Sequence, residues 1–314
     1  MPKTNLKTVT RLQGNNRALK EGRVTLPDFD LAFEEVAPLP KAFRRMVREG
    51  AYDVSEMALT TFVCARAHGA PLVGLPIFLV RDFHHKSMAR NLAAGIACPK
   101  DLEGRRVGVN RGYTVTTGVW ARAILAEEHG VDLGRVTWLR SDVEHVADYV
   151  PPANVEDLGG EGTLEEQLAR GDLPAAVGLP AKGEGLAPIV DNPFEAGLAA
   201  FHNRGFYPIN HLVVIRADIH AAYPDLAVQL FDAFSASKRL YLDDLRAGRI
   251  AEPTAVDKVH QAVAEHRDDP LPYGIAPNQA VLETLMAAAL SQGIIDAPIP
   301  LADLFAESLH DRVG

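Results

Sequence analysis

Apolar residues along this chain fall into short runs that predict buried strands, and the segments between the runs carry the spacing of helices. The predicted strands are 72–80, 107–109, 136–139 and 175–179. The predicted helices are 40–50, 119–130, 163–171, 226–242 and 279–291. The repeated order of strand and helix predicts an α/β fold with mainly parallel sheets, followed by a helical C-terminal region.

The strand over 72–80 runs directly into the polar segment Arg81-Asp82-Phe83-His84-His85. Open α/β sheets bind their ligands at strand ends. Histidine exchanges protons near neutral pH more readily than any other side chain. The segment is therefore our first candidate for a ligand-binding rim, and the alternative is a solvated loop without a role.

Two further polar segments are predicted to begin helices. Ser55 and Glu56 follow a short strand, and Thr116 and Thr117 end the Gly/Thr-rich loop 112–118. Hydroxyl side chains cap the free N–H groups of a helix start, and the same groups can hold an anion. The loop lacks the lysine of a phosphate loop and the glycine spacing of a dinucleotide fold, so nucleotide binding is not predicted.

Composition narrows the classes of partner. The 314 residues include 32 Lys and Arg and 41 Asp and Glu, which gives a net charge of −9. This charge argues against nucleic acid as the main partner. The two cysteines, Cys64 and Cys98, predict neither a disulfide framework nor a thiolate zinc site. No apolar leader or membrane-length run is present, so we predict a cytoplasmic protein without a membrane partner.

Several motifs occur in an order that resembles the 4,5-dihydroxyphthalate decarboxylase family, relatives of type II periplasmic-binding-protein-like domains. The more specific pair is Tyr52-Asp53-Val54-Ser55-Glu56-Met57 and Arg81-x-Phe83-x-His85. The others are Pro99-x-Asp101-Leu102-x-Gly104, Tyr113-x-x-Thr116-x-x-Val119-Trp120, Pro208-Ile209-x-His211 and Pro272-Tyr273-Gly274. Together they extend the resemblance over nearly the whole chain.

The chain departs from the family pattern at presumed pocket positions. Near the amino terminus it reads Leu12-Gln13-Gly14-Asn15-Asn16-Arg17, where amides replace two of the family's charges. His84 stands where the family has an arginine, and Asn210 where it has an apolar residue. These changes leave the identity of the substrate open.

The resemblance implies a two-lobed fold in which each lobe is a mainly parallel sheet flanked by helices and the ligand lies between the lobes. We expect residues 1–96 and 214–314 to form one lobe and 97–213 the other. The implied activity is cofactor-independent decarboxylation of a hydroxylated aromatic carboxylic acid similar to 4,5-dihydroxyphthalate.

That reaction needs a phenol base, a proton donor and a clamp for a carboxylate. We assign His85 or His211 as the acid–base, Glu56 as its partner and Arg81 as the clamp. The alternatives are a salt-bridging Glu56, an ion pair of Arg81 with Asp53 or Asp82, and a hydrogen-bonded hinge histidine at 211. The predicted substrate-binding residues are Ser55, Thr116, Thr117, Arg17, His84 and Asn210.

Two other functions stay open at this point. His84, His85, His211 and Glu56 could bind a divalent metal in a metal-dependent lyase, although adjacent histidines on a strand point apart. A non-catalytic solute-binding protein for a small aromatic or anionic ligand would use the same scaffold. In each case the expected partner is a small molecule, with homo-oligomerisation left open.

Overall fold

A computed structural model describes residues 3–314, which form eleven β-strands and eleven α-helices joined by short 3-10 turns. The strands are β1 (Thr4–Val9), β2 (Phe29–Phe33), β3 (Val54–Ala58), β4 (Leu72–Arg81), β5 (Met88–Asn91), β6 (Arg106–Val109), β7 (Thr137–Arg140), β8 (Val155–Asp157), β9 (Ala175–Val177), β10 (Leu186–Pro188) and β11 (Ile209–Arg216). The helices are α1 (Arg17–Lys20), α2 (Pro40–Glu49), α3 (Leu59–Ala67), α4 (Thr116–His129), α5 (Leu164–Arg170), α6 (Pro193–Arg204), α7 (Ala217–Ala222), α8 (Leu226–Arg246), α9 (Ala255–Ala264), α10 (Gln279–Ser291) and α11 (Leu301–Leu304).

The strands form two sheets, in the orders β2-β1-β3-β11-β4 and β10-β5-β9-β6-β7-β8. In the first sheet β1 pairs in parallel with β2 and β3, whereas β11 runs antiparallel to both β3 and β4. In the second sheet β6, β7, β8 and β9 are parallel neighbours, and β5 is antiparallel to β9 and β10. Both sheets are mixed, because β5 and β11 are not reached by a simple strand–helix–strand crossover.

The chain divides into two compact units. The first contains the residues up to Asp82 together with Ile209–Glu283 and Ile299–Gly314, and the second contains Phe83–Pro208 and Thr284–Pro298. The boundaries thus lie at different positions from the 96/97 and 213/214 expected from the sequence. Strand β5 pairs within the second sheet, and all of β11 pairs within the first.

Local sequence accounts for two elements that position the site. Helix α2 has proline in its first turn and ends at Gly50 in a left-handed conformation (φ 59°), as the pattern predicts. Strand β4 is almost wholly buried, and it tolerates Pro76 because it lies at the edge of its sheet.

The predicted helix start at Ser55 is wrong. Ser55 and Glu56 lie inside β3, and α3 begins only at Leu59. All five residues of β3 are buried, since the strand lies between β1 and β11. The Ser55 hydroxyl donates to the Glu56 carbonyl at 2.7 Å instead of capping a helix.

Candidate functional site

Glu56 and His211 lie on neighbouring antiparallel strands and face the same side of the first sheet. Their strands are in a register that pairs His211 with Ala58 and Val213 with Glu56. Side chains two residues apart on a strand share a face, so the two groups meet diagonally. His211 Nδ1 lies 2.6 Å from Glu56 Oε1.

The Glu56 carboxylate is fully buried, and the amino-terminal segment compensates its charge. Its Oε2 accepts the backbone N–H of Arg11 at 3.0 Å, and the Arg11 Nε lies 3.5 Å from Oε1. The imidazole of His211 packs edge-on against Phe43, with ring centroids 5.1 Å apart. With Nδ1 directed at the carboxylate, Nε2 is the nitrogen of His211 suited to exchange a proton with a ligand.

A cavity of about 430 Å³ lies in the first unit, and although neither Glu56 nor His211 lines it, a neighbour of each does. Its wall includes Arg11, which contacts Glu56, and Val80, which pairs with His211 across β4 and β11. Two more arginines also line the cavity, together with three carboxylates: Arg17, Arg23, Asp244, Glu252 and Asp257. The predicted binding residue Arg17 is therefore a cavity residue, with Glu21 at 3.5 Å as its salt-bridge partner.

The far side of the cavity is formed by α8 and α9. The Tyr241 hydroxyl donates to Asp257 Oδ1 at 2.6 Å and lies 2.7 Å from His260 Nδ1. Burial lowers the pKa of His260 to about 4, although Asp257 and Asp82 partly oppose the shift. The imidazole of His260 is therefore neutral near pH 7.

Arg81 lies at the end of β4 in the first unit, with only 1% of its surface exposed. Its guanidinium donates to the Pro272 carbonyl at 3.2 Å and to the side-chain oxygen of Asn278. Asp53, one of the ion-pair partners considered for it, lies 3.6 Å from Arg216. The Arg81 guanidinium is thus hydrogen-bonded to acceptors within its own unit.

His84 and His85 belong to the second unit and are buried, so the alternative of a solvated loop is wrong for both. His84 Nδ1 lies 3.4 Å from the Ser87 hydroxyl. His85 Nε2 lies 2.9 Å from Glu128 Oε2 on α4. Burial raises the pKa of Glu128, but its hydrogen bond to His85 and the charges of His85 and Arg204 outweigh this effect and leave the pKa below its ordinary value.

Thr116 and Thr117 are the first two residues of α4, and Val115 occupies the cap position without a side-chain cap bond. The predicted threonine caps are therefore wrong. Asn210, the remaining predicted binding residue, is buried in β11 beside His211.

The loop before α4 does cradle an anion, but the anion is a carboxylate of the chain itself. Glu144 accepts the N–H of Tyr113 at 2.6 Å, and the N–H and hydroxyl of Thr114 at 3.1 and 2.7 Å. A Cβ at Gly112 would come within 2.6 Å of Glu144 Oε2, which explains the glycine there. The expected ligand site at this loop is thus filled by Glu144.

Of the four residues named for a metal site, Glu56 and His211 are in contact in the first unit, and His84 and His85 belong to the second. Among residues 3–314, no three His, Cys, Asp or Glu side chains form a group that could hold a metal ion. Over the same range, no helix has the length and apolar composition needed to cross a bilayer.

Sequence reasoning missed several residues of this region. They are Arg11, Glu128, Glu144, Tyr241 and His260. A local signal existed only for α9, where Thr254 and Asp257 have capping-box spacing and Asp257 and His260 share a helix face. The other contacts join positions far apart in sequence.

Solved structures identify the class of the fold. The desulfurization enzyme DszB superposes with a TM-score of 0.55 at 16% identity, covering 97% of this chain and 96% of that one. The periplasmic aliphatic sulphonate binding protein SsuA from Escherichia coli gives 0.54 at 13% identity, covering 99% and 100%. The protein has the periplasmic-binding-protein fold.

Curated relatives identify the family. A 4,5-dihydroxyphthalate decarboxylase from Comamonas testosteroni is 28% identical over 306 residues, 92% of each chain. Another from Pseudomonas putida is 33% identical over 186 residues, 57% of this chain and 71% of that protein. The family model described as NMT1/THI5 like matches residues 30–154. The chain belongs to the 4,5-dihydroxyphthalate decarboxylase family.

Proposed function

We propose that the protein decarboxylates a hydroxylated aromatic carboxylic acid similar to 4,5-dihydroxyphthalate. The observation that carries the proposal is the 2.6 Å contact between the buried Glu56 and His211, in a chain whose curated relatives are named as this decarboxylase. A buried carboxylate that orients an imidazole is a common arrangement for proton transfer.

The chemistry requires only acid–base groups. Loss of a phenolic proton pushes electron density to the ring carbon that bears a carboxylate in the para or ortho position. That carbon takes up a proton, the bond to the carboxylate breaks, carbon dioxide leaves, and the electron pair returns to the ring. The phenolate is then reprotonated, so the net reaction consumes one proton and needs no oxidant or reductant.

His211 is our choice for the proton-transfer group, with Glu56 as its positioning partner. Glu56 fixes the ring through Nδ1 and stabilises the imidazolium that forms when Nε2 takes a proton. His85 stays a prediction for this role. Both its nitrogens are buried, and Nε2 is engaged by Glu128.

Arg11 replaces Arg81 as our candidate for the carboxylate clamp. The Arg11 side chain is 46% exposed, lies beside Glu56 and lines the cavity. A guanidinium of this kind can bind a carboxylate through two parallel hydrogen bonds. Arg17, also at the cavity, adds a second cation for a dicarboxylate.

The competing function is a solute-binding protein, because the SsuA protein of Escherichia coli shares this fold. The fold cannot decide, since the desulfurization enzyme DszB shares it as well. The buried Glu56–His211 pair favours catalysis, because a binding site needs only fixed hydrogen bonds and no proton-transfer group.

The test follows carbon dioxide release from a panel of hydroxylated aromatic carboxylates, including 4,5-dihydroxyphthalate. We expect turnover by the wild-type protein and a loss of about a hundredfold or more in His211→Gln, since general acid–base catalysis contributes at least that much. The matched control His266→Gln alters an exposed histidine after α9 and should keep wild-type turnover. His85→Gln, measured alongside, tests the other candidate.

Binding across the panel without any carbon dioxide would rule out the decarboxylase and favour the binding protein. Undiminished turnover in His211→Gln would remove that residue from the mechanism.

A further inference from the structure

The peptide group between Thr10 and Arg11 directly follows β1 and is hydrogen-bonded at both of its polar ends. Its N–H, from Arg11, donates to Glu56 Oε2 at 3.0 Å. Its carbonyl oxygen, from Thr10, accepts from the Lys20 ammonium at 2.6 Å. The oxygen and hydrogen of a trans peptide point in opposite directions, so Lys20 and Glu56 lie on opposite sides of this peptide group. A single peptide therefore connects a lysine with the carboxylate that contacts His211.

Lys20 is a fixed donor rather than a mobile surface lysine. It belongs to α1, and only 7% of its side-chain surface is exposed. Its ammonium also lies 2.6 Å from Glu35 Oε1 and 5.1 Å from the centre of the Phe33 ring. Lysines are seldom buried to this degree unless they are paired. The contacts with Glu35 and the Thr10 carbonyl supply that pairing and hold the nitrogen in place.

The chain beyond Arg11 has a separate support. Asn16 is fully buried, and its side-chain nitrogen donates to the Arg11 carbonyl at 2.9 Å. Its side-chain oxygen accepts the Gln13 N–H at 2.8 Å. Loss of the Lys20 ammonium would leave these bonds in place. The effect of such a change should thus begin at the Thr10–Arg11 peptide.

Lys20 acts on that peptide in two ways. Thr10 is 1% exposed, and a buried carbonyl without a donor is unfavourable. Without Lys20, rotation of the peptide would relieve this cost and would turn the Arg11 N–H away from Glu56. The cation at the carbonyl end also polarises the peptide, which strengthens its N–H as a donor. Lys20 therefore supports both the direction and the strength of a hydrogen bond to Glu56.

The hydrogen bonds of Glu56 determine the state of His211. An ionised carboxylate can only accept, so the His211 nitrogen 2.6 Å away, Nδ1, carries a hydrogen. The neutral imidazole then has its lone pair at Nε2. If Oε2 lost its partner, the carboxylate could turn, and Nδ1 would lose the acceptor that selects this tautomer.

We infer that Lys20 is a positioning residue, which acts through the Thr10–Arg11 peptide to orient Glu56 and so keeps the lone pair of neutral His211 at Nε2. The inference rests on the proposed function, because His211 Nε2 is the atom that exchanges the proton in that reaction. Lys20 itself contacts neither His211 nor a ligand in this account.

The experiment determines the tautomer of His211 by ¹⁵N NMR of the ligand-free protein labelled in its histidine rings. Spectra are recorded at a pH at which the ring is neutral, and His211→Gln identifies the signals of His211. We expect the wild-type ring to carry its hydrogen at Nδ1. Lys20→Met removes the ammonium at similar length, so the population with the hydrogen at Nε2 should rise at least tenfold. Lys20→Arg keeps a cation with N–H donors and should restore most of the wild-type signal.

The matched control is Lys3→Met in the same unit. Lys3 Nζ also donates to a backbone carbonyl, that of Leu26 at 2.7 Å, and lies 3.7 Å from Asp30. Its loss should leave the His211 signals unchanged. A merely structural effect of removing a lysine from this unit would change both variants alike.

Kinetics with the decarboxylase substrate supply a second measurement. Lys20→Met should reduce kcat by about ten- to a hundredfold, which is the size of effect that a misplaced catalytic group has. The fall should appear in kcat rather than in KM, because Asn16 still holds the Arg11 carbonyl.

These outcomes are separable from those of the decarboxylase assay, since the tautomer is measured without substrate. A change of tautomer in Lys20→Met that Lys20→Arg reverses, without carbon dioxide release by the wild type, would support the role of Lys20 and reject the proposed activity. Carbon dioxide release with the same tautomer and kcat in Lys20→Met as in the wild type would support the activity and overturn this inference. A wild-type ring with its hydrogen at Nε2 would overturn it without any lysine variant.

Discussion

The two oxygens of Glu56 have different partners, and this division explains how a charged group is stable without exposure to solvent. Oε1 meets His211, and Oε2 accepts the Arg11 backbone N–H. Removing one partner of a buried pair leaves the other charge uncompensated and costs several kcal/mol. Substitution of Glu56 would thus change stability and chemistry together, whereas substitution of His211 leaves the Arg11 N–H and guanidinium beside the carboxylate.

A single glycine controls the placement of Tyr241. A Cβ on Gly14 would lie 2.2 Å from Cε2 of the Tyr241 ring. Gly14→Ala should therefore displace the ring from Asp257 and His260 and lower the free energy of unfolding by about 1–3 kcal/mol. Urea denaturation measures the loss, and Gly159→Ala is the control because nothing lies within 4 Å of its added Cβ. Equal stability of the two variants would contradict this account.

At the scale of residues, the sequence identified Glu56 and His211 individually but not the hydrogen bond between them. That bond depends on the register of two strands separated by about 150 positions, which no local pattern encodes. The sequence predicts Arg81 as a carboxylate clamp. It does not show that the guanidinium donates to Pro272 and Asn278, which lie in a distant part of the chain. Contacts between residues far apart in the sequence could therefore not be predicted from local patterns.

At the scale of elements, the start of α4 depends on Glu144 rather than on a cap of its own. The buried carboxylate accepts three hydrogen bonds from Tyr113 and Thr114. Glu144→Gln replaces one acceptor by an amide nitrogen that faces N–H or O–H donors, so a loss of about 1–3 kcal/mol is expected. Thermal unfolding followed by circular dichroism measures the effect.

The control for that substitution is Glu165→Gln, at an exposed position in the first turn of α5. Its stability should stay close to that of the wild type, because exposed substitutions away from special contacts have small effects. If Glu144→Gln were no less stable than this control, the loop before α4 would not depend on the carboxylate.

The elements with clear local signals were predicted well. Helix α2 has its proline and glycine ends, and α5 begins after the Thr163 cap that its pattern predicts. The sequence of β3 wrongly predicts a helix start, because a serine and a glutamate before an apolar run are typical of one. Burial between two neighbouring strands overrode that local preference.

At the scale of the whole molecule, the α/β alternation and the family motifs predicted the fold class, whereas the division of the chain needed the sheet pairings. Strand β5 is short and carries no sign of which sheet it joins. The return of Thr284–Pro298 to the second unit follows from tertiary packing alone. Strand pairing and helix packing together therefore define the units.

The stability of the molecule should also depend on the ionisation of His260. Its pKa is lowered from 6.5 to about 4 in the folded protein because burial disfavours the charged form. Between pH 6.5 and 4 the unfolded chain binds this proton and the folded protein does not, so stability falls as the pH falls through that window. The full difference is about 3 kcal/mol, reached below the folded pKa.

Comparison of the wild type with His260→Gln isolates this contribution, because carboxyl groups that titrate in the same range are common to both proteins. Urea denaturation at intervals from pH 7 to pH 4 should show the wild type losing more stability than the variant, by up to about 3 kcal/mol. The variant has no proton to bind at position 260, so its curve should be flatter. Parallel curves over the whole window would mean that His260 has the same pKa in the folded and unfolded chain.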